Sequence, residues 1–136
     1  NKDQKEKQDK EYVDLIAQLK VVLGEQVKDI RLSSKLTDSP VCLVADEGDM
    51  DIAMEQLMAQ RDTNYKGAPR ILEINGDHSL IKNMKSLISK KENNDLVNDA
   101  GTLLFEQARL MEGKMPADPA QFSKIMNQFL LKAIPN

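Results

Sequence analysis

The last helical stretch of the chain sets the hardest constraint on how it can fold. Its apolar residues run Phe122, Ile125, Met126, Phe129, Leu130, Ala133 and Ile134, the spacing i, i+3, i+4, i+7, i+8, i+11, i+12 without a gap. A helix with that pattern must bury a wide face. The stretch before it, Asp95 to Met111, carries a second stripe of Leu96, Val97, Ala100, Leu103, Leu104, Leu110 and Met111. Two antiparallel helices with such stripes cover only one face of each other. The remainder is satisfied either by packing on a sheet of the same chain or by a second copy, in an isologous four-helix bundle. An interface of about 1,600 Å² in total would hold such a pair together.

Composition narrows the alternatives. The chain has 136 residues, the length of one domain. Hydrophobic residues make up 40% and charged residues 30%, a folded rather than a disordered balance. Aromatics are scarce at 4% and there are seven methionines, so the core must be built from Leu, Ile, Val and Met. A net charge of −3 argues against a basic nucleic-acid-binding face. No run approaches the ~18 apolar residues of a membrane span. One cysteine, Cys42, and one histidine, His78, rule out a disulfide framework and a Cys/His zinc site within one chain. The opening Asn1-Lys2-Asp3 resembles neither an initiator start nor a signal peptide, and reads as a piece of a longer protein.

The order of elements reads as helix, strand, strand, helix, strand and then three helices, an α+β unit with a helical tail. The charges of Lys2 to Lys10 suit a solvated helix extension or a linker. Tyr12, Val13, Ile16, Leu19 and Leu23 then mark one helical face, and Gly24 a stop. Val27 to Leu32 reads as a strand with Ile30 and Leu32 on one side. Val41 to Ala45, continuously apolar, reads as a buried strand. A helix follows from Met50 to about Gln60, then a third strand, Ile71 to Ile74. Asp77 is placed to cap a short helix carrying Leu80, Ile81, Met84, Leu87 and Ile88. Ser89 to Asn94 reads as a mobile loop. Asp118-Pro119, with Gln121 three residues after Asp118, is a helix start.

Chemistry is sparse. No nucleophile elbow, phosphate loop or dinucleotide fingerprint is present. Asp77-His78 is the only acid–imidazole neighbour pair, and capping is the simpler role for it. The cluster Asp46, Glu47, Asp49 and Asp51 lacks the spacing of a calcium loop and suits a helix N-terminus. Cys42, inside an apolar strand, reads as an inert core residue. The helix from Met50 is odder. Met50, Met54, Leu57 and Met58 fall at i, i+4, i+7 and i+8, while Ile52 and Ala59 lie nearly opposite. Three methionines on one face suggest an exposed, adaptable strip for varied partners rather than core filler.

Several motifs in order then suggest a family. Leu23-Gly24-Glu25-Gln26-Val27-Lys28-Asp29-Ile30-Arg31-Leu32, followed by Leu36-Thr37-Asp38-Ser39-Pro40, and Leu72-Glu73-Ile74-Asn75 before Asp77-His78, resemble the C-terminal domain of the ninety-kilodalton heat-shock chaperones, bacterial type. The resemblance runs from about Leu15 to Leu131. Gly76 departs from it, standing where that family usually has proline, and is expected to loosen the turn.

The resemblance implies a single C-terminal dimerisation domain over residues 1–136, with 1–11 as charged linker or helix extension and 95–134 as dimerisation helices. It implies a small three-stranded sheet with helices, followed by terminal helices forming an intermolecular four-helix bundle. The interface residues carried over are Leu96, Ala100, Leu103, Leu104, Met111, Phe122, Ile125, Met126, Phe129 and Leu130. Met50, Met54, Leu57 and Met58 map onto the family's amphipathic helix implicated in contact with non-native client proteins. ATP and Mg belong to an upstream ATPase domain, so no catalytic residue, cofactor or metal is expected here. The expected partners are a second copy and unfolded or partly folded proteins, with no nucleic acid and no membrane. The ending Ala133-Ile134-Pro135-Asn136 is unlike the acidic co-chaperone docking peptide of eukaryotic cytosolic members. A bacterial cytoplasmic protein fits this pattern, and a mitochondrial member shares the missing peptide.

Overall fold

The computed structural model describes residues 2–33, 38–46, 52–61 and 69–135, and the side chains at 2–9, 52, 55, 56 and 59 lie outside that description. In chain order these residues form helix α1 (Lys2–Leu23), a 3-10 turn (Gly24–Gln26), strands β1 (Val27–Leu32) and β2 (Val41–Val44), and helix α2 (Ile52–Arg61). Strand β3 (Arg70–Ile74) and helices α3 (Ser79–Ser89), α4 (Asn94–Met111) and α5 (Pro119–Ala133) follow. The charged opening is therefore helical. Its Lys, Glu and Gln residues are good helix formers, and α1 runs through them to stop at Gly24.

The strands make one mixed sheet in the order β1-β3-β2, so the fold is α+β. Strand β3 pairs parallel with β1 and antiparallel with β2. The register lines up two apolar rows, Ile30–Leu72–Leu43 and Leu32–Ile74–Val41. Both rows meet a layer of α1, α3 and α4, from which Leu15, Leu19, Ile81, Met84, Val97 and Phe105 complete the core. The register shifts between Val27 and Asp29. That irregularity lets Val27 share the buried side with Ile30. The opposite face carries the row Arg31–Glu73–Cys42, with Arg31 Nε donating to Glu73 Oε2 at 2.8 Å.

The packing corrects several sequence readings. On α1 the core residues are Tyr12, Leu15, Leu19 and Leu23, while Val13 is 55% exposed. The face is chosen by β1, α3 and α4 together, which a stripe read from one helix does not reveal. Strand β2 is an edge strand with all four residues only half-buried, so Cys42 is not a core residue. Its continuous apolar run arises because alternate residues serve the two faces of the sheet. Asp77 does not cap α3. His78 does, accepting from Leu80 N–H through Nδ1 at 3.1 Å. The expected loop over Ser89 to Asn94 is a hydrogen-bonded turn, with Lys91 N–H to Ile88 O and Glu92 N–H to Leu87 O both at 3.0 Å.

Two glycines mark close approaches. A Cβ at Gly101 would lie 2.5 Å from Leu19 Cδ2, so α4 crosses α1 closely enough that any side chain there would force Leu19 to shift. A Cβ at Gly76 would lie 3.0 Å from the Tyr12 ring. Gly76 leaves room for that ring, and its carbonyl accepts a hydrogen bond from the Tyr12 hydroxyl. Burial, with Glu11 and Asp77 adding, pushes the Tyr12 phenol above its ordinary value, which keeps it a donor. Lys85 sits 5.2 Å over the same ring and 3.6 Å from Glu11. Together these contacts join α1 to the start of α3.

Asp29 ties α1 to β1. The Ile30 N–H donates to its Oδ1 at 2.8 Å, and Lys20 Nζ lies 3.1 Å away. These, the backbone bond first, hold its carboxyl below the ordinary 3.8. A carboxyl lowered on folding stabilises the protein above its unfolded value, and that contribution is lost as pH falls through the folded one. Asp29→Asn is therefore expected to flatten the dependence of unfolding free energy on pH below about 3.8, measured by urea titration. An unchanged slope would contradict the assignment.

Candidate interaction surfaces

Helix α4 is apolar on two sides. Val97, Gly101, Leu104, Phe105 and Ala108 are buried, at i, i+4, i+7, i+8 and i+11, and all but Gly101 belong to the core cluster. Leu96, Ala100 and Leu103 are half-buried and Leu110 is 44% exposed. Helix α5 packs on α4, yet Ile125 is its only buried residue. Between the two helices lies a groove of about 410 Å³ whose lining includes Leu80, Ala100, Leu103, Phe122, Met126 and Phe129. It is an apolar cleft with Gln107 as its one polar side chain.

The residues expected at a dimer interface divide accordingly. Ala100, Leu103, Phe122 and Phe129 line the groove while half-buried, and Met126 lines it while 39% exposed. Leu130 at 49% and Met111 at 82% exposed extend the apolar surface beyond it, and Leu96 is half-buried near the start of α4. Leu104 and Ile125 are buried within the one chain, at 7% and 5% exposed, and Leu104 also lines the groove. Leu80 shares the helical spacing of Ile81, Met84, Leu87 and Ile88 on α3, but it does not join Ile81 and Met84 in the core. It opens into the groove instead, 39% exposed. Leu131, Ile134 and Met115 are each 72% exposed, outside the groove lining.

The hairpin is fastened by residues that the apolar pattern conceals. Glu106 is 2% exposed. Its Oε1 accepts from Ala117 N–H at 2.9 Å and its Oε2 from Asp118 N–H at 3.0 Å. Asp118 in turn caps α5, accepting from Gln121 N–H at 3.1 Å, with Pro119 at the first turn. Arg109 Nε donates to Met115 O at 3.1 Å and lies 3.8 Å from Glu106 Oε1. A charged residue in the middle of an apolar helix stripe is the only sequence signal of this arrangement.

Helix α2 presents the second surface. Met54, Leu57 and Met58 are 48%, 43% and 38% exposed, so three of the four expected partner-contacting side chains share an open face. Met50, with Glu47, Asp49 and Asp51, lies outside the described residues, as do the side chains of Ile52 and Ala59. Asp46 is ion-paired with Lys28 at 3.1 Å. Among the described residues no group of three or more His, Cys, Asp or Glu could hold a metal ion, and no helix is long and apolar enough to cross a membrane.

Comparison with known proteins gives the family of the chain. The model of the Hsp90 protein family matches residues 1–135. Chaperone protein HtpG of Roseobacter denitrificans is 43% identical over 123 residues, covering 89% of this chain and 20% of the relative. HtpG of Paramagnetospirillum magneticum is 41% identical over 91% of the chain and 20% of the relative. That of Wolbachia pipientis wMel is 39% identical over 97% and 21%. The chain thus spans about 20% of the length of the relatives it matches. The family match over residues 1–135, with 43% identity to an HtpG over 89% of this chain, establishes that the chain belongs to the Hsp90 family of heat-shock chaperones.

Proposed function

We propose that this chain is the dimerisation module of an ATP-driven bacterial chaperone, and that the α4–α5 groove receives the same two helices of a second copy. The observation that carries this reading is the outward apolar face of the hairpin. Phe122, Met126, Phe129 and Leu130 line or flank a groove that their own chain leaves open. An exposed patch of that kind marks an interaction site, and a twofold pairing of hairpins satisfies both copies at once. Joining two protomers makes contact between their upstream ATPase domains effectively intramolecular, at concentrations on the order of millimolar. ATP and Mg would be held by those domains, and the working compartment is a bacterial cytoplasm.

The exposed α2 face supports a second role, in contact with non-native client protein. Flexible thioethers at Met54 and Met58 flank Leu57 and can adapt to dissimilar apolar sequences. The alternative is a purely structural dimeriser in which the methionine face is buried, and the exposure of Met54, Leu57 and Met58 favours client contact over it. A metal-binding role gains no support, because Asp46 is engaged with Lys28 and His78 caps α3.

Placing two carboxylates on the outer face of α5 tests the first role. Phe129→Glu with Leu130→Glu is expected to yield a folded monomer in sedimentation, since unpaired charges are not tolerated in an apolar interface. A persistent dimer would put the interface elsewhere. For the second role, Met54→Glu with Leu57→Glu should weaken protection of a denatured client from aggregation while leaving the mass of the assembly unchanged. Undiminished protection would remove α2 from client contact.

A further inference from the structure

Helix α5 has little else to hold it in place. Ile125 is its one buried side chain, and α4 is its principal neighbour. Phe122 and Phe129 add half-buried side chains along the groove with α4, and the connection that leads into α5 supplies further anchorage. That connection is tied back to a single turn of α4 at three points. Met115 O receives the Arg109 Nε–H, while the Ala117 and Asp118 amides donate to Glu106.

The chemistry of the tie is specific. Two consecutive backbone N–H groups at the head of a helix need two acceptors. An ionised carboxylate supplies both, whereas an amide supplies one oxygen and one unsuitable donor group. A carboxylate is costly to bury unless its oxygens are hydrogen-bonded, so Glu106 and the two amides satisfy each other. Arg109 adds a guanidinium 3.8 Å from Oε1, and lies 6.0 Å over the Phe105 ring. Glu106 sits one helical turn from Leu103 on the same helix, so one turn of α4 carries both the tie and part of the groove wall.

We propose that Glu106, supported by Arg109, is the positioning residue that holds α5 against α4 in the pose a second copy requires, so that the groove is formed before the partner arrives. This rests on the dimer reading above. Preorganisation of this kind strengthens association by lowering the ordering cost on binding. The groove residues supply the contact, and Glu106 supplies the angle at which they are offered.

Sedimentation equilibrium over a dilution series, with hydrogen exchange on the same 136-residue chain, tests the proposal. Glu106→Gln keeps the shape and loses one acceptor. Its dimer dissociation constant is expected to rise about tenfold or more. Exchange at the amides of Ala117, Asp118 and Gln121 should quicken while those of α1 and β3 keep wild-type protection. Arg109→Gln should show the same pattern at smaller size, and it carries the test if the first variant does not fold. A wild-type dissociation constant in the variant that is used would overturn the positioning role and leave the dimer reading standing. Equal loosening of α1 and β3 would also overturn it, making Glu106 a general stability residue. A monomeric wild type at every concentration would overturn the dimer reading and the positioning role with it.

Discussion

Helix α5 carries a gapless apolar stripe, and its own chain fully buries only Ile125 of it. Everything distinctive in this molecule follows from that shortfall. Burying one large aliphatic or aromatic side chain is worth about 1.5–3 kcal/mol, so a helix that leaves Leu130, Leu131 and Ile134 in water forgoes a large part of what could hold it. The sheet is no help to it, because one face is already taken by α1, α3 and α4. The stripe is therefore either a liability or a surface meant for another molecule. Membership of the Hsp90 family and the shape of the groove both favour the second, with a like copy as the proposed occupant.

Helix α4 makes this arrangement possible by serving two layers. Its inner side locks into the core through Val97, Leu104, Phe105 and Ala108, and Gly101 lets it approach Leu19 closely. Its outer side, through Ala100 and Leu103, forms one wall of the groove. The groove is thus built on a rigid, well-buried helix, while α5 is held by a polar latch at its head. Leu80 links the same groove to α3, whose start is joined to α1 by Tyr12, Gly76 and Lys85.

Much of the fold was legible because hydrophobic period and turn chemistry agreed. The order of elements, the stop at Gly24 and the cap at Asp118 all stand in the structure. What was illegible depended on neighbours distant in sequence. Leu15 rather than Val13 faces the core because three other elements meet α1 there. Strand β2 reads as buried from its composition, yet it lies at the edge of the sheet. The two proposed surfaces were suggested by spacing together with the family resemblance. Glu106 and Arg109 were not, since nothing in a sequence says that a glutamate inside a stripe will turn inward to meet amides eleven and twelve residues later. Gly76 shows the same blindness: its meaning lies in Tyr12, 64 positions away.

The account stands or falls on what lies against the outer faces of α4 and α5. The most direct measurement is an isotope-filtered nuclear Overhauser experiment on an equal mixture of labelled and unlabelled chains, which reports only contacts between molecules. Cross-peaks between copies at Leu103, Met126 and Phe129, and none at Leu15 or Ile81, are predicted. Intermolecular contacts confined to α2 or the sheet, or their complete absence at concentrations well above those of a stable complex, would contradict it.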